Sequence, residues 1–131
     1  MNQPVVGSNG FNSPQFIKIA GDAANGVIVG TPWFPNKEDQ KVKDFRKAYV
    51  AKYGKEPDQF AAQAYDAVYL YETALKKAES TTDREKVREA LKNIADFVGV
   101  TGQFKFNEKR DPSMEVQVLQ IKNGQFDALK K

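Results

Sequence analysis

Short apolar runs that end at glycine open the chain. Pro4-Val5-Val6-Gly7 reads as a buried strand, and the following Gly7-Ser8-Asn9-Gly10 carries a loop signal. Ser13 before Pro14 suits an N-cap followed by a first helical residue. Phe16, Ile17, Ile19 and Ala20 then predict a short helix, which Gly21 stops. Gly26-Val27-Ile28-Val29-Gly30 repeats the strand pattern. Thr31-Pro32-Trp33-Phe34-Pro35-Asn36 breaks regular structure, because its prolines remove backbone donors and restrict the residues before them.

From there the apolar period is helical. Val42, Phe45, Tyr49 and Tyr53 mark one face of a helix over residues 37–52, closed by Gly54. Asp58 suits the N-cap of a longer helix over 59–79, whose inner face reads as Phe60, Ala64, Ala67, Val68, Tyr71 and Leu75. Thr82, with Glu85 at capping-box distance, opens a third helix with Val87, Leu91 and Ile94 as its stripe. The period then alternates. Phe104 and Phe106 stand at strand spacing within 102–107, and residues 109–112 form a turn. Val116, Val118 and Ile121 belong to another strand, and Asn123-Gly124 is a hairpin signal before Gln125-Phe126.

The order predicts an α/β chain: a parallel βαβ unit, three helices and C-terminal antiparallel strands. Two core strands are too few for a covered sheet. The strands at Val5 and Val27 call for parallel neighbours on both sides, and three amphipathic helices need something to cover. The pattern reads as part of a larger structure.

Composition narrows the chemistry. The 131 residues hold no cysteine and no histidine, which removes thiolate metal sites, disulfides and the commonest general base. Ser-His-Asp and Cys-His catalysis are impossible on this chain alone. No catalytic residue, metal ligand or cofactor is expected. The net charge of +3 is spread as lysines and arginines among acids, without a basic stripe, so no nucleic-acid partner is expected. No apolar run is long enough to cross a bilayer. The start, Met1-Asn2-Gln3-Pro4, lacks a signal-peptide pattern, so the chain reads as cytoplasmic, or as a mature or partial form of an exported protein.

Several groups stand out, each with a plainer alternative. The loop from Gly7 to Phe11 lies between a strand and a helix, where Asn9 and the Phe11 ring could grip a polar ligand or simply form a tight turn. It lacks the third glycine of a dinucleotide fingerprint. Trp33 and Phe34, between prolines, wall a pocket or pack on their own domain, and packing is the favoured reading. Phe60 and Gln63 sit in the first turn of the long helix, where Phe60 also fits a core position. Glu108, Asp111 and Glu115 have neither the spacing nor the glycine of a calcium loop.

Read together, these stretches resemble a known family. The residues that carry the resemblance are Gly7-Ser8-Asn9-Gly10-Phe11-Asn12-Ser13-Pro14, Gly26 through Trp33, Phe45-Arg46-Lys47-Ala48-Tyr49, Tyr53 through Pro57, Phe60 through Ala67, and the tail with Gly99-Val100-Thr101-Gly102, Phe104, Phe106-Asn107 and Asp111-Pro112. The chain is similar to the C-terminal part of type I periplasmic binding proteins, in the branched-chain amino-acid (Leu/Ile/Val) branch. The resemblance implies two α/β lobes joined by a three-stranded hinge, with ligand trapped between them. It implies that residues 1–35 end a second-lobe segment, 36–107 form a helical segment returning to the first lobe, and 108–131 are hinge and second-lobe strands. Asn9 aligns with a pocket position that is acidic in leucine-binding relatives. Phe60 aligns near an aromatic pocket wall, and Asn9, Phe11, Trp33, Phe60 and Gln63 form the expected ligand-binding set.

The implied function is that of the substrate-binding component, here a fragment, of an ABC importer. It would capture a small polar solute, an amino acid or similar, in the periplasm or another extracytoplasmic space. It would deliver the solute to an ABC permease and would not be an enzyme. Two alternatives stand beside this: a ligand-sensing domain of a receptor or regulator, and an inactive truncated or designed fragment. An enzyme of flavodoxin-like shape is opposed by the missing histidine and phosphate loop. Uncovered helical stripes further imply self-association of the fragment.

Overall fold

The computed structural model describes residues 3–129. Met1, Asn2, Lys130 and Lys131 lie outside them, and with these the start of the amino-terminal reading and the end of the last segment. The chain forms two compact units. One holds the residues up to Gln59 together with those from Val116; the other is Phe60–Glu115.

The first unit is built on the predicted βαβ pattern. Strand β1 (Val6–Gly7) pairs in parallel with β2 (Ile28–Thr31), in the register Val6↔Ile28 and Gly7↔Val29. Helix α1 (Pro14–Ala20) lies between them in sequence. The Ser13 hydroxyl accepts from the Gln15 N–H at 3.1 Å, Pro14 takes the first turn, and Gly21 ends the helix at φ 54°, where L side chains are strained.

The second neighbour of β2 is not parallel, as the sequence implied, but antiparallel. Strand β6 (Gln117–Lys122) pairs with it, and β7 (Gln125–Ala128) follows, giving the order β1-β2-β6-β7. Asn123 and Gly124 adopt φ 50° and 73°, the left-handed pair of a type I′ turn. The C-terminal hairpin thus supplies partners that local periodicity could not assign. Val29 and Leu119, opposite one another across the ladder, are both fully buried. Ala24, Val27, Val29 and Ile121 form the core of this face, with Phe11, Phe16, Ile17, Ala20 and Phe126 packed on it.

Helix α2 (Gln40–Tyr53) starts later than its apolar face suggests. The Asp39 carboxylate accepts from the Lys41 N–H at 2.8 Å, and Asp39 itself is extended, so residues 37–39 stay outside the helix. Val42 and Phe45 are buried on its inner side, and Gly54 caps it in the left-handed conformation. Arg46 clamps Glu56 through two bonds, of 2.6 and 3.0 Å, and reaches the Asn36 side chain at 3.2 Å. Hydrogen bonding from the guanidinium holds the Glu56 carboxyl below its ordinary range. Both partners are substantially exposed, so the pair orders these loops and contributes under about 1 kcal/mol.

The second unit gathers most of helix α3 (Gln59–Ala78), α4 (Arg84–Lys92) and a sheet of β3 (Phe97–Gly99), β4 (Gly102–Phe106) and β5 (Pro112–Met114). Two expectations are corrected here. The N-cap of α4 is Asp83, not Thr82: its carboxylate accepts from the Glu85 and Lys86 N–H groups, each at 3.1 Å. A charged acceptor is the stronger cap, and Glu85 turns to Arg88 one turn on. The buried side of α3 is also rotated from the predicted one. Ala62, Asp66, Ala74 and Ala78 face inward, whereas Phe60, Val68 and Tyr71 are 50–67% exposed. Apolar residues lie almost all round this helix, so periodicity chose the bulkier side. Its alanines admit close neighbours instead: Ala74 and Ala78 share a core with Val87 and Ile94, lined by Leu70, Leu75 and Leu91.

Asp66 explains part of that rotation. One carboxylate oxygen accepts from the Val100 N–H at 2.7 Å, the other from the Thr101 N–H at 2.8 Å and the Thr101 hydroxyl at 2.5 Å. The carboxylate lies against Gly99, where a Cβ would overlap it.

Between β4 and β5, Arg110 holds φ 67°. The Asn107 side chain fixes this turn by accepting from the Lys109 and Asp111 N–H groups, each at 2.9 Å. Arg110→Gly relieves the strain and is expected to raise stability by about 0.5–1 kcal/mol in urea denaturation. A loss of stability would show that the turn is unstrained. Among the described residues, no helix is long and apolar enough to cross a membrane.

Candidate ligand-binding site

In open α/β sheets, ligands bind beyond the carboxyl ends of the parallel strands. At that end β1 leads into a 3-10 turn, Asn9–Phe11. Ser8 and Asn9 are exposed on it. The Ser8 hydroxyl makes no capping bond, and the Asn9 amide makes no hydrogen bond within the described residues. Phe11 turns the other way. Its ring stacks on Phe16, with centroids 4.5 Å apart, and joins the core. It lies so close over Gly7 that a Cβ there would overlap it. Gly7 therefore makes room for Phe11, and the loop presents Ser8 and Asn9 outward from a packed base.

The same edge is held by a polar network that sequence reasoning missed. Asn12, 3% exposed, donates from Nδ2 to the Thr31 hydroxyl oxygen and to the Trp33 carbonyl, both at 2.8 Å. The Thr31 hydroxyl also accepts from the Trp33 N–H at 3.2 Å and donates to Gln59 Oε1 at 2.8 Å. Asn12 thus ties the loop after β1 to the loop after β2. One signal pointed there: Thr31 continues the period-two series Val27, Val29, so its hydroxyl faces inward and needs partners. Gln59 is fully buried, and its Nε2 has no partner among the described residues.

Trp33 is 1% exposed and meets Phe45 edge-on at 5.7 Å. Of the two readings of its loop, packing on its own unit is the observed one. Phe60 and Gln63 occupy the first turn of α3, in the second unit, where Phe60 is exposed and Gln63 half-buried. On the same helix, hydrogen bonding with Tyr69 raises the Tyr65 phenol above its ordinary range.

A cavity of about 250 Å³ in the second unit is lined by Tyr71, Thr81, Thr82, Asp83, Arg84, Val87, Arg88 and Leu91. None of the candidate residues lines it, and Arg88 is already paired with Glu85 and Glu89. Among the described residues, no group of three or more acidic side chains is placed to hold a metal ion.

Comparison with known proteins agrees with this architecture. The periplasmic binding protein family matches residues 1–125. A Leu/Ile/Val-binding protein homolog from Brucella abortus is 32% identical over 115 residues, covering 87% of this chain and 30% of the relative. A leucine-, isoleucine-, valine-, threonine-, and alanine-binding protein from Pseudomonas aeruginosa is 34% identical over 106 residues, covering 81% and 28%. The crystal structure of a leucine binding protein from Thermotoga maritima superposes with a TM-score of 0.88 at 31% identity, covering 99% of this chain and 37% of that one. A branched-chain amino acid transporter substrate binding protein from Streptococcus pneumoniae, in complex with isoleucine, superposes with a TM-score of 0.82 at 32% identity, covering 97% and 36%. The chain thus spans about a third or less of the length of these relatives. With the family pattern matched almost from end to end, and the α/β architecture shared at this closeness, the chain belongs to the periplasmic binding protein family.

Proposed function

We propose that this chain is part of the substrate-binding component of an ABC importer, working outside the cytoplasm and capturing a small polar solute such as an amino acid. The observation that carries the reading is the outward pair Ser8 and Asn9, free to bond and set at the carboxyl end of a parallel strand. One similar protein is solved in complex with isoleucine and another is a Leu/Ile/Val-binding protein homolog, which supports the solute class. Binding here requires no general acid, nucleophile or metal, in keeping with the candidate residues. Within the first unit, Asn9 contributes a direct bond.

Calorimetry of the protein as its gene encodes it, against a panel of amino acids and related small polar solutes, tests this. A micromolar ligand is expected, and Asn9→Ala is expected to weaken it by about 1 kcal/mol, roughly fivefold. A panel with no binder would overturn the function, and an unchanged affinity in the variant would remove Asn9 from the site.

The 131-residue chain taken alone leaves Phe60, Val68 and Tyr71 uncovered on α3. We expect it to self-associate through that face at micromolar concentration. Light scattering reads the outcome, and a monomer at 100-fold higher concentration would refute it.

A further inference from the structure

The outward wall of the site is electrically neutral, and this bears on which solute it takes. The first charged side chain in the sequence is Lys18, and none occurs between Asp22 and Lys37. The loop after β1 therefore carries only uncharged side chains, and the loop after β2 stays uncharged as far as Asn36. Ser8 and Asn9 are exposed on the first of these with their side-chain polar atoms unused. The loop is fixed on both flanks: Phe11 is stacked on Phe16 beneath it, and Asn12 is bonded to Thr31 and Trp33 behind it. The pair is thus preorganised, so a ligand does not bear the cost of ordering it.

An amide and a hydroxyl offer donors and acceptors in equal measure, but no counter-charge. An ammonium placed against them would lose part of its hydration and gain no ion pair. A hydroxyl or other neutral group would exchange water for equivalent bonds at little cost. We propose, resting on the solute-binding reading above, that Ser8 and Asn9 receive an uncharged hydrogen-bonding group of the solute, of the hydroxyl or amide class, and not an ammonium. The physiological solute then belongs with hydroxy acids and amides more than with free amino acids.

The test compares two probes with one carbon skeleton, leucine and 2-hydroxy-4-methylpentanoate, which differ in an ammonium against a hydroxyl. Calorimetry is run on the protein as its gene encodes it and on Asn9→Asp, with circular dichroism confirming that the variant folds, as expected for an exposed position. The native protein is expected to bind the hydroxy acid at least as tightly as leucine. Asn9→Asp is expected to shift the ratio of affinities at least tenfold toward leucine, because it adds a charge-assisted bond. A native protein that prefers leucine tenfold or more, or a variant whose ratio does not move, overturns the neutral-wall proposal while leaving solute binding intact. Failure of the native protein and the variant to bind either probe or any member of the panel overturns the solute-binding reading itself.

Discussion

Asp66→Ala is expected to destabilise the protein by roughly 3–5 kcal/mol, the largest effect of any single polar substitution considered. The carboxylate takes three hydrogen bonds in a buried setting, two from backbone N–H groups and one from the Thr101 hydroxyl. Alanine leaves those donors without a partner, and each stranded donor costs about 1–3 kcal/mol, less what water recovers on entering. Asp66→Asn keeps one acceptor oxygen and is expected to lose about half as much. Urea denaturation gives the magnitude, and hydrogen exchange gives the location: the Val100 and Thr101 amides should lose protection first. A loss below 1 kcal/mol for Asp66→Ala would mean the β3–β4 turn holds its shape unaided.

Thr31→Val is expected to cost about 2–4 kcal/mol. The shape is nearly conserved, so the cost is electrostatic. One hydroxyl serves as acceptor for the Asn12 amide and the Trp33 N–H and as donor to Gln59, and valine silences all three bonds. Gln59→Leu should cost less, because the Gln59 Nε2 is already unpartnered and leucine removes that penalty along with one good bond. Thermal denaturation of both variants checks the order. If Gln59→Leu proves the more damaging, the network is centred on Gln59 and not on Thr31.

The two substitutions also mark what the sequence made legible. Local chemistry was readable where the signal lay within a few residues. Ser13-Pro14 opened α1, Gly21 and Gly54 ended helices, and Asn123-Gly124 turned a hairpin, each for a reason of backbone geometry. The partner of β2 was not readable, because β6 lies about ninety positions away, with Val29 facing Leu119. The face of α3 was misread because Asp66, the polar residue that turns inward, finds its partners 34 and 35 positions later. Of the candidate site, the position of the loop after β1 was legible and the direction of its side chains was not. Phe11 read as a ring that could grip a ligand, whereas it packs over Gly7 and stacks on Phe16.

The chain contains one tryptophan, Trp33, and it lies sealed within the first unit against Phe45. Its emission is therefore a built-in optical gauge of that unit alone. Red-shifted fluorescence on heating reports water reaching the indole, while the far-ultraviolet signal sums the helices of both units, with α3 and α4 its larger share. Coincident curves would mean the two units melt as one cooperative body, and separated curves would mean they do not. If the units melt apart, Thr31→Val should move the fluorescence curve, and Asp66→Ala should move the dichroism curve while leaving the fluorescence curve in place.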